Sequence, residues 1–277
     1  MPISATEFNF VRDLVRQRSA IVLEPGKEYL VESRLSSVAK DEGFASLEQF
    51  LSELRARPSN GLHERIVEAM TTNETSFFRD LHPFDALRQT VLPDLIQRRA
   101  AERQLTIWSA ACSSGQEAYS IAMTIRDAFP QLAAWSVRIL ATDLSKEMVA
   151  RCREGRFTQL EMNRGLPAQY LVKYFTKQGL EWQVKDELRK MVDVREMNLA
   201  DRWPPLPPID IVFIRNVLIY FDVSTKREIL AKIRKLMRPD GYVFLGGAET
   251  TLNLDDAFQR VPIGKSTCYQ LASRPNP

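Results

Sequence analysis

The sequence predicts an α/β fold, a doubly wound parallel sheet with a small β insert, preceded by an all-helical N-terminal domain. Three observations predict it. From Leu105 onward, apolar runs of strand length alternate with segments of helical period. Residues 107–117 (Ile-Trp-Ser-Ala-Ala-Cys-Ser-Ser-Gly-Gln-Glu) read as a buried strand, a tight turn of small residues and the start of a helix, the way such folds open a ligand pocket. Residues 1–72 contain no convincing strand. The expected domains are therefore 1–75 (helical), 76–100 (a linking helix region) and 101–277 (the α/β domain, with its insert at about 155–190).

The first helix is announced by the capping box Ser4-Ala5-Thr6-Glu7, after which Phe8, Val11, Leu14 and Val15 keep a helical period. A second helix spans 28–42, stopped by Gly43, with Val31, Leu35 and Val38 inward and Arg34 and Lys40 expected to face water. Ser46 with Gln49 caps a third, whose Leu47, Phe50, Leu51 and Leu54 form one stripe; a fourth carries Ile66, Val67 and Met70. Residues 81–101 read as a helix interrupted by Pro93. Strands are expected at 105–110 and 137–142 and helices at 117–128 and 146–153. The alternation then breaks, and 180–184 alternates polar and apolar residues in the manner of a small β element. Strand 191–196 follows. Strand 209–214, apolar after Asp210, has the composition of a central parallel strand. A helix from a Ser224 cap to Met237 ends at the turn Arg238-Pro239-Asp240-Gly241, before strand 242–245 and a last antiparallel strand around 268–271.

Composition narrows the function. A formal charge of +3 is too small for wholesale nucleic-acid binding, and nucleic acid is not an expected partner. No apolar run approaches the ~20 residues that cross a bilayer, and a cytoplasmic location is expected. Three cysteines and two histidines do not furnish a disulfide framework or a histidine-rich metal centre, so no metal is expected and the chemistry needs little proton shuttling.

The pocket loop contains one glycine, Gly115, and lacks the glycine series of a dinucleotide site. A ligand without phosphates is favoured. About 26 residues beyond Glu117, the apolar run 137–143 ends in Asp143, the spacing at which a βαβ unit offers a carboxylate to a ribose diol. S-adenosylmethionine (SAM), a nucleoside that carries no phosphate, meets both conditions. Two further segments stand out. Residues 71–80 (Thr-Thr-Asn-Glu-Thr-Ser-Phe-Phe-Arg-Asp) hold more hydrogen-bonding side chains than helix capping requires, and Arg79 is suited to gripping a carboxylate. Residues 215–221 (Arg-Asn-Val-Leu-Ile-Tyr-Phe) follow the central strand at its carboxyl end, where Asn216 and Tyr220 either face the cleft or pack beneath a loop.

With these motifs in this order, the sequence resembles the CheR family, the chemotaxis receptor methyltransferases, over nearly its whole length. The resemblance rests on 72–79 (Thr-Asn-Glu-Thr-Ser-Phe-Phe-Arg), 108–117, Ala-Thr-Asp at 141–143 and 215–221. It implies a Rossmann-like SAM-dependent methyltransferase that esterifies glutamate side chains on the cytoplasmic helices of chemoreceptors, with S-adenosylhomocysteine as the other product. It implies recruitment to membrane-bound receptor arrays for adaptation. By position, it implies cofactor contacts at Asn73, Thr75, Arg79, Gly115, Glu117, Asp143, Asn198, Leu199, Asn216 and Val217, and catalytic placement by Arg79 and Tyr220. Gln116 departs from the glutamate of many members, and the short 177–180 segment points to recognition without a receptor-tail tether. The basic residues Arg12, Arg16, Arg18, Arg34, Lys40, Arg55 and Arg57 are a candidate docking face for an acidic helical receptor, set against an ordinary solvated surface. A SAM-sensing adaptor and a methyltransferase for nucleic acid or small molecules are the alternatives. The second lacks the Asp/Asn-Pro-Pro-Tyr motif of many amino-methylating enzymes.

Overall fold

The computed structural model describes residues 3–56 and 61–272, so Arg57 of the expected basic face lies outside the described residues. Contacts divide the chain into two compact units, 1–72 with 220–225, and 73–219 with 226–277. Among the described residues, no helix is long and apolar enough to cross a membrane.

The first unit holds α1 (Ala5–Ser19), α2 (Glu28–Asp41), α3 (Leu47–Ala56) and α4 (Gly61–Met70). The capping box forms as read: the Ser4 side chain accepts from the Glu7 N–H while Glu7 reaches back to Ser4. Phe8, Val11, Val15, Val31, Leu35, Phe50, Leu51, Leu54 and Ile66 make its core. Arg34 departs from expectation. It does not simply face water; its guanidinium donates to the Ala69 and Thr71 carbonyls (3.2 and 2.7 Å) and to Thr72 Oγ1 (3.3 Å). Those carbonyls close α4 and have no intrahelical donor of their own, which is why a part-buried cation is drawn to them.

In the second unit, α5 (His82–Ala86) runs through a π-helical turn at Leu87–Val91 into α6 (Leu92–Arg98). The expected interruption at Pro93 is thus absorbed one turn earlier, because the proline leaves the preceding turn without an N–H donor and crowds it. There follow β1 (Gln104–Ala110), α7 (Gln116–Ala128), β2 (Ser136–Asp143), α8 (Lys146–Glu154), β3 (Arg156–Thr158), α9 (Gln159–Met162), α10 (Ala168–Tyr174), β4 (Phe175–Gln178), β5 (Glu181–Val184), α11 (Asp186–Arg189), β6 (Val192–Glu196), β7 (Ile209–Ile214), α12 (Val223–Leu236), β8 (Met237–Leu245), β9 (Phe258–Ile263) and β10 (Ser266–Leu271). Two boundaries differ from the sequence reading. The cap of α12 is Asp222, whose Oδ1 accepts from the Thr225 N–H at 2.9 Å and from Ser224 Oγ at 2.8 Å, rather than Ser224 itself. Residues 238–241 do not form a separate turn but belong to β8, whose pairing with β7 shifts register between Ile209 and Ile211.

The seven-stranded sheet has the order β6-β2-β1-β7-β8-β10-β9, parallel through β8, with β10 antiparallel to both its neighbours. The chain builds β1, β2 and β6 outward in one direction, then returns to lay β7 against the other side of β1. That reversal puts a crevice at the carboxyl ends of β1 and β7. The insert is a separate antiparallel sheet, β3-β5-β4. At the opposite ends of the strands, buried Asp210 accepts from Arg99 Nε and the Thr106 N–H, both at 2.8 Å, while Arg99 also grips Asp240. The Arg99 hydrogen bonds hold the Asp240 carboxyl below its ordinary range.

Candidate functional site

The crevice is floored by the loop after β1. Ala111, Ser113 and Gly115 all have positive φ (58, 50 and 100°), so the chain coils tightly with its amides turned inward. Gly115 is required twice: by its φ, and because a Cβ there would lie 2.6 Å from Cys152 Sγ. Cys112 is buried beside the same cysteine, and their hydrogen bond, together with burial, pushes its thiol well above the ordinary value. Both thiols are buried and pack the loop.

Asp143, at the end of β2, is 7% exposed. Its Oδ2 accepts from the Ser113 N–H (2.8 Å) and its Oδ1 from the Ser145 N–H (2.9 Å). The expected ribose-binding acid is therefore locked beside the β1 loop. Met197 donates its N–H to the Asp143 carbonyl at 2.8 Å, which brings Asn198 and Leu199 alongside. Asn198 turns its own loop, accepting from the Ala200 N–H and donating to Asp201. Leu199 is buried, and its carbonyl accepts from Trp203 Nε1 and Lys232 Nζ. Trp203 meets Trp108 of β1 edge to face at 5.0 Å. Burial lowers the pKa of Lys232, which also donates to the carbonyls of Ala200 and Asp201.

The polar segment 73–80 is stitched onto this floor. Ser113 Oγ donates to the Asn73 carbonyl at 2.8 Å, and the Phe78 N–H donates to Ser120 Oγ of α7 at 3.0 Å. Phe77 and Phe78 are core residues: Phe77 meets Phe157 and Phe175 of the insert at 5.0 and 5.7 Å, and Phe78 meets Phe84 at 5.1 Å. Thr75 is half-buried. Arg79, also half-buried, folds back to donate to the Glu74 carbonyl at 3.0 Å, and Glu74 pairs with Arg164 at 2.9 Å.

Two residues bind the motifs together that no local pattern announced. Arg215, whose side chain is 2% exposed, donates through Nη1 to Glu117 Oε2 (2.9 Å), and through Nη2 to the Arg79 carbonyl (2.9 Å) and Asp80 Oδ2 (2.7 Å). Glu117 also accepts from Ser109 Oγ at 2.8 Å. The acid expected at the rim of the pocket is thus neutralised by a buried guanidinium that joins three of the four motifs. The second residue is Glu249, 7% exposed. Its Oε2 accepts from the N–H groups of Asn216 and Gly246 (2.8 and 2.7 Å) and its Oε1 from those of Val217 and Ile219 (2.9 and 3.4 Å). Asn216, at φ 57°, is held in its strained turn by this carboxylate. In the sequence Arg215 opens a motif whose candidate residues are Asn216 and Tyr220, and Glu249 sits in Gly-Gly-Ala-Glu-Thr-Thr, which reads as an ordinary turn. The structure brings Asn73, Gly115, Glu117, Asp143, Asn216 and Val217 onto one connected frame. Tyr220 is the last residue of a short 3₁₀ turn, Leu218–Tyr220, and itself belongs to the first compact unit, where its carbonyl accepts from the Val22 N–H at 2.9 Å.

A buried acid at the end of β2, a tight coil of small residues after β1 that lacks a glycine series, and a polar platform at the carboxyl end of β7 suit a nucleoside ligand with a charged amino-acid tail. These are the features of a SAM-dependent methyltransferase. Residues 73–267 match the description "CheR methyltransferase, SAM binding domain" and residues 6–71 match "CheR methyltransferase, all-alpha domain". The chain belongs to the CheR methyltransferase family, and SAM is its cofactor. It is 42% identical to chemotaxis protein methyltransferase 1 of Pseudomonas aeruginosa over 98% of this chain and 99% of that one. It is 41% identical to chemotaxis protein methyltransferase Cher2 of Pseudomonas putida, covering 95% and 97%. The chemotaxis protein methyltransferase of Escherichia coli is 34% identical, covering 98% and 93%.

Proposed function

We propose that this methyltransferase esterifies glutamate side chains on the cytoplasmic helices of chemoreceptors. The observation that carries the reading is the single frame formed by Arg215, Glu117, Ser113 and Asp143 around the motifs. It is built to hold groups still, and it presents no residue arranged as a general base. Glutamate needs none. With a reference pKa of ~4.3 the side chain is ionised at neutral pH, and the transfer asks for placement and exclusion of water. Bound SAM supplies an electrophilic methyl on a sulfonium. The protein's part is to orient the acceptor oxygen in line with the sulfur–methyl bond, at roughly 3 to 3.5 Å.

The cofactor contacts we assign are Asn73, Thr75, Arg79, Gly115, Glu117, Asp143, Asn198, Leu199, Asn216 and Val217. Glu117 acts there as the partner of Arg215, and Asp143 as the ribose acceptor. Arg79 and Tyr220 are assigned to placing the reacting groups. The Arg79→Ala variant divides two roles: lost SAM affinity assigns Arg79 to the cofactor's carboxylate, and intact affinity with lost turnover assigns it to the substrate. Residues 1–75 serve as the docking domain for the acidic receptor helices, at receptor arrays in the cytoplasm. Arg34 is occupied with its own carbonyls, so exposed Lys40 is the cleaner probe. Lys40→Glu should raise the receptor KM and spare SAM binding.

The deciding experiment is incubation with methyl-labelled SAM and a purified chemoreceptor cytoplasmic fragment. Label released by alkali as methanol supports a carboxyl methyl ester. SAM binding without such label favours the adaptor reading or another substrate.

A further inference from the structure

We infer that a cleft at the carboxyl ends of β7 and β8 is a recognition subsite for a second carboxylate of the receptor, one helical turn from the glutamate being methylated. The inference rests on the function proposed above. The cleft, of about 380 Å³, is lined by Asp80, His82, Arg215, Asn216, Lys265 and Ser266 among others. It adjoins the proposed reaction site through the chain itself, since Asp80 follows Arg79 and Asn216 belongs to both.

Three observations point to an anionic side chain as the occupant. The first is charge: Arg215 is already balanced by Asp80 (2.7 Å) and Glu117 (2.9 Å), which leaves Lys265 as the cation of the lining that no described carboxylate balances. Lys265 is exposed in the turn between β9 and β10 and has no ion pair or hydrogen bond among the described residues. The second is a pair of orphaned donors. Arg215 Nε and Ser266 Oγ are buried without a hydrogen-bond partner among the described residues, although both residues line the cleft and are 6% and 2% exposed. Buried polar atoms rarely stay unpaired, and two of them at one cleft call for an oxygen-bearing group or its water. The third is spacing. On a helix, side chains three and four positions apart are about 5–6 Å apart on one face. A receptor helix that offers one glutamate beside Arg79 and Asn216 therefore offers its neighbours to the adjoining cleft.

The test uses the full chain, methyl-labelled SAM and a chemoreceptor cytoplasmic fragment. Lys265→Glu should raise the receptor KM about five- to tenfold at low salt, leave kcat and SAM affinity within about twofold, and lose its effect as salt rises. Ser266→Ala removes a hydroxyl that bonds to nothing in the structure, so a rise in receptor KM reports the docked substrate. A fragment whose carboxylates one turn from the methylated glutamate are changed to glutamine should lose affinity for the unaltered protein and lose nothing more with Lys265→Glu. An unchanged receptor KM in both variants overturns the subsite. Weakened SAM binding with unchanged receptor KM also overturns it and gives the cleft to the cofactor. If the unaltered protein leaves no base-labile label, the proposed function fails and this inference with it; label from the unaltered protein keeps the two failures distinct.

Discussion

Replacing Glu249 by glutamine changes one atom and should loosen the end of β7. The carboxylate serves four backbone N–H groups, two on each oxygen, and has no ion pair with any described residue. An amide has one acceptor oxygen. Keeping it on the side of the shorter bonds, to Gly246 and Asn216 at 2.7 and 2.8 Å, leaves the Val217 and Ile219 N–H groups facing an NH₂. The Ile219 bond, at 3.4 Å, is weak already and adds little. One buried donor without a partner costs about 1–3 kcal/mol, and the opposed N–H dipoles add to that, for a total of about 2–4 kcal/mol. All four tryptophans, Trp108, Trp135, Trp182 and Trp203, lie in the second compact unit, so tryptophan fluorescence in a urea titration reports that unit. The expected result is a lower midpoint with an unchanged slope. Calorimetry should show SAM bound at least about tenfold more weakly, as displacement of Asn216 and Val217 by even about 1.4 kcal/mol requires. A midpoint and a SAM affinity equal to those of the unaltered protein would refute the idea that Glu249 sets this loop.

Arg215→Met leaves the largely buried Glu117 without its cation, and the exposed Asp80 with it, and should cost about 3–5 kcal/mol in the same titration, chiefly through Glu117; Arg215→Lys keeps the charge but not the fork, and should recover only part of it. Gly165→Ala should detach segment 73–80 from the insert, because Gly165 has φ 86° and a Cβ there would sit 2.0 Å from the Phe77 carbonyl oxygen; near-native melting and SAM affinity would contradict this. Asp240 has a folded pKa below its unfolded value, so its share of stability is present at neutral pH and is lost as pH falls below about 4. Asp240→Asn should accordingly be less stable than the unaltered protein at pH 7, and the gap should narrow in acid unfolding curves below pH ~4.

What was legible in the sequence was what short-range chemistry writes into it. β7 lies at Ile209–Ile214, the bounds its apolar run predicts, and the helices of the first unit follow their apolar stripes. The loop after β1, Asp143 and the segment 73–80 stood out because small residues, a strand-end acid and a dense polar run are unusual locally, and the structure places them side by side. β9 (Phe258–Ile263) was missed: it contains Pro262, exposes Gln259, Arg260 and Pro262 without alternation and lies at the edge of the sheet, so it resembles a loop. Pairings at long range were illegible. Arg215 and Glu117 are 98 residues apart and Asn216 and Glu249 are 33 apart, and no period connects them. Arg34 was misread for the same reason, since its carbonyl acceptors lie some 35 residues away on another helix.

The distribution of backbone strain explains why these long-range bonds are needed. Nine non-glycine residues among those described have positive φ, and six of them, Phe78, Asp80, Leu81, Ala111, Ser113 and Asn216, fall within or immediately beside the three motifs that frame the crevice. Each such residue costs of order 1 kcal/mol or more and persists only where its surroundings over-determine it. The surroundings here do so: Ser120 fixes Phe78, Arg215 fixes Asp80, Asp143 fixes Ser113 and Glu249 fixes Asn216. Every one of those anchors is a buried polar group, and three of the four are charged. A reaction whose nucleophile is already ionised gains nothing from acid or base groups at the centre. It gains from donors and acceptors that do not move, and a strained, cross-braced backbone delivers them at fixed positions before the substrate arrives. The charges of this site are therefore spent on geometry, which is why its most buried ion pair, Arg215 with Glu117, joins two motifs.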